Sequence, residues 1–200
     1  QTMVEQITEL PEHVELRTAT GKIQTQAVVY ATGYEACESL GFSPGTLRST
    51  FALAARTEST MAVCPPELLL WETARPYFYA RHAHNNRYLV LGGKDMAHAE
   101  THADPKILAA KTASLVQEFQ QRFPACKIEP EYAWAGTFAE TEDGLAYIGK
   151  LPKRERSYAA LGYGGNGITF SMIAARLIRD LYIRRETPNA AVFAFSRKTV

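Results

Sequence analysis

The chain has 200 residues, 46% of them hydrophobic and 22% charged, which suits one domain or two small lobes with a sizeable core. A net charge of +1 provides no broad electrostatic surface for nucleic acid or an acidic membrane, so no nucleic-acid partner is expected. No apolar run approaches the roughly 18–20 residues of a membrane span. Cys37, Cys64 and Cys126 are odd in number, far apart and without a CxxC pair. That argues against a disulfide scaffold or a thiolate zinc site and for reduced thiols in a cytoplasmic protein.

The opening QTMVEQITEL has neither a basic start nor an apolar stretch, so it is not a signal peptide. It reads as the interior of a longer chain. HVELRT (13–18) and KIQTQ flank Thr20-Gly21 and predict a hairpin. QAVVYATGY (26–34) predicts a strand buried on both faces that runs into a sharp turn at Thr32-Gly33. STFALAART (49–57) reads as a strand, and Pro65 and Pro66 break the MAVCPPELL stretch. WETARPYFYARH (71–82) and RYLVLGG (87–93) predict two strands around Asn85-Asn86. Tyr77, Tyr79 and Arg81 then face one side, and Phe78, Ala80 and His82 the other.

Asp104-Pro105 is a helix start, with a capping side chain and then proline in the first turn. That helix should run to about Phe123 with an apolar stripe of Leu108, Leu115, Phe119 and Phe123. IEPEYAWAGTFAE (128–140), LAYIGK and YAALGYG read as strands. The last helix, about Asn166 to Arg184, carries two stripes. Ile168, Met172, Ala175 and Ile178 form one, and Ile173, Leu177 and Leu181 the other, the pattern of a helix buried on most sides.

GYGGNG (162–167) joins the YAALG strand to this helix. The first N–H groups of a helix lack intrahelical partners, and the macrodipole places about half a positive charge there. Glycines let an anion or an electron-rich carbonyl approach that end. A tight turn that binds nothing has the same sequence. It is not the GxGxxG of a dinucleotide fold, which opens a βαβ unit and carries an acidic residue ~20 positions on.

Three stretches in order, ATGY, WAGTFAETEDGLAYIG (134–149) and GYGGNGITFSMIAARLI, resemble the C-terminal half of flavin amine and amino-acid oxidases of the D-amino-acid oxidase superfamily. That superfamily includes glycine oxidase, sarcosine oxidase and γ-glutamylputrescine oxidase. PYFYAR…NRYLVLGGKD is similar to the family's substrate-lobe hairpin, and the likeness covers about residues 13–185.

The resemblance implies an α/β (α+β) architecture with two lobes. Residues 46–140 would form a largely antiparallel substrate lobe with a packed helix. Residues 1–45 and 141–200 would be the remnants of a Rossmann-like FAD lobe lacking its N-terminal βαβ unit. It further implies that Ala31, Thr32 and Gly33, with Gly162, Tyr163, Gly164, Gly165, Asn166, Gly167, Ile168 and Thr169, line a FAD site. The missing N-terminal half of the parent chain becomes a partner, and the fragment alone is expected to be inactive and to hold FAD weakly or not at all.

Glycine-oxidase-like members carry arginines where this chain has Phe138 and Gly165. Guanidinium grips a substrate carboxylate by two parallel hydrogen bonds, so their absence points away from a free α-amino acid and toward a small-molecule amine. Sarcosine oxidases attach flavin to a cysteine where Gly136 stands, so FAD is expected to be non-covalent. Tyr77, Tyr79 and Trp134 wall a substrate pocket or fill a sheet core. Arg81 or Arg75 supplies a substitute cation or a solvated edge. Hydride removal from a C–N bond needs little acid or base from the protein, and no catalytic dyad is expected. The alternative from another class is a metal-binding or non-enzymatic domain using His82, His84, His98 and His102, of which the last two are adjacent if helical.

Overall fold

A computed structural model describes the whole chain except residues 1, 37–39, 57–62, 64, 66, 84–86, 98–103 and 198–200, and the side chains of 35 and 36. His84, His98, His102, Cys37 and Cys64 therefore lie outside the described residues. The chain forms two compact units, one from Gln1–Thr46 with Phe138–Val200 and the other from Leu47–Thr137.

The first unit begins with an antiparallel meander of β1 (Val4–Glu9), β2 (Val14–Thr18) and β3 (Gly21–Thr25). Its second sheet has the order β10 (Tyr147–Lys150), β11 (Ser157–Leu161) and β4 (Val28–Tyr30). The long helix of the unit, α2 (Gly167–Tyr182), lies on one face of this sheet. Phe170, Ala174 and Ile178 of the helix pack there with Ile148, Tyr158 and Ala160. Tyr30, Leu151, Ala159 and Leu161 form a separate core on the other face. Alternation along β11 divides the two cores, as a strand's period of two requires.

Two carboxylates hold this unit's connections. Glu9 accepts the Ser157 hydroxyl at 2.6 Å and the Arg156 N–H at 2.8 Å, which ties the meander to the start of β11. Burial works against its charge, yet the Ser157 hydroxyl and the Arg156 and Glu155 N–H groups hold its pKa below the usual value. Asp143 takes two hydrogen bonds from Arg197, at 2.7 and 2.9 Å. The same guanidinium donates to the carbonyls of Leu145 and Ala146 and lies 3.5 Å from the Tyr147 ring centre. Residues near the C-terminus are thereby fastened to the turn before β10. A short helix, α3 (Ala190–Phe193), precedes this anchor.

The second unit is a five-stranded sheet of order β6 (Leu69–Trp71), β7 (Phe78–Ala83), β8 (Tyr88–Ala97), β5 (Thr46–Arg56) and β9 (Glu129–Glu140). β6–β7, β7–β8 and β8–β5 are antiparallel. Helix α1 (Pro105–Arg122) covers one face, and its Leu115 and Phe119 pack with Phe51, Leu53, Phe78, Leu89 and Leu91. Asp104 caps the helix, its Oδ1 accepting the Lys106 N–H at 2.8 Å. His82 is buried.

This α+β architecture agrees with the fold expected from the sequence, with three local differences. The stretch 71–82 is not one strand: β6 ends at Trp71 and β7 starts at Phe78, and the Phe78 N–H is held by the Glu72 carboxylate at 2.9 Å. β4 is only half covered, with Val29 at 49% exposure. On α2 the stripe of Ile168, Met172 and Ala175 faces outward, with Ile168 at 92% and Met172 at 57% exposure. Periodicity reports an apolar face correctly but does not say what covers it.

These contacts generate two testable expectations. Gly93 has φ +139°, and a Cβ there would stand 2.3 Å from the Tyr77 carbonyl oxygen. Gly93→Ala should cost about 3 kcal/mol, read as a lower midpoint in urea unfolding. The Arg197 hydrogen bonds lower the Asp143 pKa from 3.8 to about 2. A carboxylate depressed by folding stabilises above its unfolded pKa, and that contribution is lost as pH falls through the folded one. Asp143→Asn should cost on the order of 1–2 kcal/mol at neutral pH, and its gap from the parent chain should close between about pH 4 and pH 2.

Candidate functional site

The first unit assembles its candidate site from the two ends of the sequence. β4 and β11 are parallel neighbours, with Val28, Val29 and Tyr30 beside Ser157, Tyr158 and Ala159. Parallel strands end on the same edge, so Ala31-Thr32-Gly33 and Gly162–Gly167 leave the sheet side by side, about 130 residues apart in the chain. In parallel sheets with helical crossovers this carboxyl edge is where ligands bind.

Each stretch turns there for a visible reason. Gly33 has φ +66° and starts a 3-10 turn, Gly33–Ala36. Gly162 has φ +71°, and a Cβ on it would meet Thr141 at 2.8 Å and Pro44 at 3.0 Å. Gly164 has φ +53°, and its N–H donates to the Ala139 carbonyl at 3.0 Å. The chain then enters α2 through Asn166, whose side chain makes no capping hydrogen bond. The first turn of the helix holds no acidic residue. Ala31, Thr32, Gly165, Asn166, Ile168 and Thr169 are exposed, Tyr163, Gly164 and Gly167 half-buried and Gly162 buried. Burial pushes the Tyr163 phenol pKa up, opposed by a hydrogen bond with Ser171.

This edge is an uncapped positive helix end, fronted by glycines with no side chain in the way. No Cβ placed at Gly33, Gly164 or Gly167 would meet an atom within 4 Å. The residues present thus fit an extended ligand with an electron-rich carbonyl or an anionic group, which is what a flavin offers.

The expected substrate residues belong to the other sheet. Tyr79 and Arg81 stand on the face of β7 opposite the α1 core, and Trp71 of β6 pairs with Tyr79. Trp71, Tyr77 and Tyr79 form a ladder of rings, each neighbouring pair 6.1 Å apart between centres. The Tyr79 ring lies over Gly92, where a Cβ would fall 2.0 Å from the phenol carbon. Trp134 and Phe138 alternate with the core-facing Ala133 and Ala135 on β9, which puts them on the same side of their strand as Gly136. Gly136 in turn lies against Thr50. This face thus has an aromatic wall and a floor of small residues.

Trp71 and Gly92 are not among the sequence-derived candidates. Gly92 is legible only through strand register, which sets it beneath Tyr79. Among the described residues no group of three His, Cys, Asp or Glu side chains could hold a metal ion. Among them also, no helix is long and apolar enough to cross a membrane.

Comparison with known proteins bears on both surfaces. Over 185 residues the chain is 30% identical to glycine oxidase of Geobacillus kaustophilus, a match covering 91% of this chain and 47% of that protein. The crystal structure of glycine oxidase from the same organism superposes with a TM-score of 0.73 at 26% identity, covering 100% of this chain and 53% of that one. Iminodiacetate oxidase from Chelativorans shares the fold, with a TM-score of 0.72 at 14% identity over 97% of this chain and 52% of the other. The chain therefore spans about half the length of the relatives it matches. The sequence model of the FAD-dependent oxidoreductases called DAO matches residues 1–181, which include both glycine stretches and the aromatic sheet. By that match, the chain belongs to the DAO family of FAD-dependent oxidoreductases.

Proposed function

We propose that this chain is the C-terminal portion of a flavin-dependent oxidase or dehydrogenase that oxidises a C–N bond of an amine or amino-acid-like substrate. The observation that carries this reading is the meeting of Ala31–Gly33 and Gly162–Gly167 at one sheet edge, in front of the uncapped α2 N-terminus. In this reading residues 1–45 and 141–200 form the flavin lobe, and 46–140 the substrate lobe. FAD, held without a covalent bond, would supply the hydride acceptor. The backbone of Gly162 to Thr169 and the residues Ala31 to Gly33 would hold it. The positive end of α2 would stabilise negative charge without reorganising. Tyr77, Tyr79, Arg81, Trp134 and Phe138 would contact the substrate. Loss of hydride from the carbon beside nitrogen would leave an iminium ion, and water would convert it to a carbonyl compound, a free amine and a proton.

Further residues of a longer parent chain would complete the flavin lobe. β4 has a hydrogen-bonded neighbour on one edge only, among the described residues. Val29 is exposed on the α2 face of the sheet, beside Tyr158. A groove lined by Gln26, Ala27, Tyr158, Leu181 and Tyr182 runs between the strands and the last turn of the helix. Parallel strands are normally covered on both faces, and a strand plus helix added here would do so. The parent chain, not this portion alone, is then the active species.

Two outcomes test this. Gly167 has open space and an ordinary φ, so Gly167→Asp is unstrained. An acidic residue in the first turn should stabilise the helix by about 0.3–1 kcal/mol, while its charge repels an electron-rich ligand. In the N-terminally extended parent, flavin affinity should therefore fall about tenfold as the melting temperature holds or rises. Unchanged flavin content, measured by the visible absorption of purified protein, would remove the helix end from the site. Separately, Ile168→Gln with Met172→Gln should reduce self-association of the 200-residue chain in sedimentation velocity. The same pair should destabilise the extended parent by about 2 kcal/mol, because there the stripe is covered.

A further inference from the structure

Gly162 turns against two neighbours. A Cβ on it would stand 2.8 Å from Thr141 Cγ2 and 3.0 Å from Pro44 Cβ. The segments that carry these neighbours also press on each other, since a Cβ on Gly45 would stand 2.1 Å from the Glu140 carbonyl oxygen. The Gly164 N–H completes the seat through its hydrogen bond to the Ala139 carbonyl at 3.0 Å. Residues 44–45 and 139–141 are thus the bed of the glycine turn. In close packing, a shift of either moves the turn and the helix end behind it.

The segment that follows α2 is anchored on both parts of this bed. Phe193 packs on the α2 face of the sheet, its ring centre 6.3 Å from that of Phe170. Phe195 belongs to the core of the opposite face, 5.1 Å from Phe42 and 5.6 Å from Tyr147. The segment therefore crosses the sheet at its β10 edge, and Phe195 rests on the stretch that leads to Pro44. A turn from the Arg197 N–H to the Ala194 carbonyl, 3.1 Å, then aims the guanidinium at Asp143. The Arg197 side chain is only 6% exposed. It grips both carboxylate oxygens of Asp143 and the carbonyls of Leu145 and Ala146, while Asp143 Oδ1 accepts the Leu145 N–H at 3.0 Å. The turn closed by the Gly144 N–H on the Thr141 carbonyl is locked by these bonds. A buried charge stripped of its partner is costly, so the arm and this turn hold one arrangement or lose it together.

We propose that the arm formed by residues 190–197 is a positioning element for the glycine edge, Phe195 setting the Pro44 wall and Arg197 the Thr141 wall, so that closure of the arm and ligand binding at the edge are coupled. That the ligand is a flavin rests on the oxidase reading; the coupling does not. A preformed edge binds without first ordering its own backbone, and affinity falls by the fraction of molecules whose arm is undocked. Coupling is reciprocal, so a ligand at the edge must in turn hold the arm closed. Phe195 and Arg197 act through the two walls and not by touching the ligand.

Residue-resolved amide hydrogen exchange on the chain and on its N-terminally extended parent, with FAD titration of the parent, tests this. Arg197→Ala should speed exchange of the Gly164 N–H at least tenfold and weaken FAD binding by the parent about fivefold to tenfold. Arg197→Lys keeps the charge but cannot span a carboxylate and two carbonyls, and should fall between the two. FAD added to the parent should slow exchange of the Arg197 N–H. Val14→Ala, at a fully buried position of the same unit, should lower the melting temperature and leave Gly164 exchange and FAD affinity unchanged. Unchanged Gly164 exchange in both Arg197 variants would make the arm a clasp for the fold and overturn the proposal, as would equal effects from Val14→Ala. A parent that takes up no FAD, yet whose Gly164 N–H is loosened by Arg197→Ala, defeats the flavin reading and leaves the positioning. A flavin-loaded parent whose affinity ignores Arg197→Ala defeats the positioning alone.

Discussion

The parallel pairing of β4 with β11 is the interaction on which the rest of the candidate site depends. Three residue pairs set it, and the Val28 N–H adds a hydrogen bond to the Arg156 carbonyl at 2.9 Å. Without it, the turn at Gly33 and the turn at Gly162 would be unrelated loops. A parallel ladder this short is weak alone, since isolated two-stranded pairing is marginal in water. Its register is set from outside, by the Glu9 carboxylate on Ser157 and Arg156 and by the Arg154 guanidinium on the Tyr30 hydroxyl at 3.0 Å. A one-residue slip would exchange Tyr158 and Ala159 between the two cores, which the differing sizes of these residues forbid.

The two units use different chemical means. The glycine edge of the first works through backbone: N–H groups, positive φ angles and the absence of Cβ atoms. The aromatic face of the second presents side chains instead: ring faces and the guanidinium groups of Arg75 and Arg81. The first is therefore tolerant of neighbours and intolerant of substitution at Gly162, where Thr141 and Pro44 already press. Rings on the second can be exchanged without disturbing the α1 core, since they stand on the opposite face of the sheet.

Much of this is legible in the sequence where a local rule decides the outcome. Asp104-Pro105 has to start a helix and GYGGNG has to be a strand-to-helix turn, while the hairpin expected at Thr20-Gly21 turns one residue earlier, at Ala19-Thr20, with Gly21 already paired to Thr18. β1 escapes such a reading because VEQITE carries polar residues on a strand that stays mostly exposed. The break at 72–77 escapes it because it depends on the Glu72 carboxylate reaching the Phe78 N–H, a contact with no periodic signature. The outward stripe of α2 misleads because a helix pattern counts apolar faces and does not identify their partners. The meeting of Gly33 with Gly162 and of Tyr79 with Gly92 lies beyond local pattern altogether, since each is a product of strand pairing.

The second unit enters through β5 and leaves through β9, and these two strands are neighbours in one sheet. A segment whose two ends emerge side by side is in effect a cassette. Its entry and exit strands can receive a different intervening sequence while the flanking segments still meet along β4 and β11. Recombination can then replace the aromatic face as a block and leave the glycine edge unchanged.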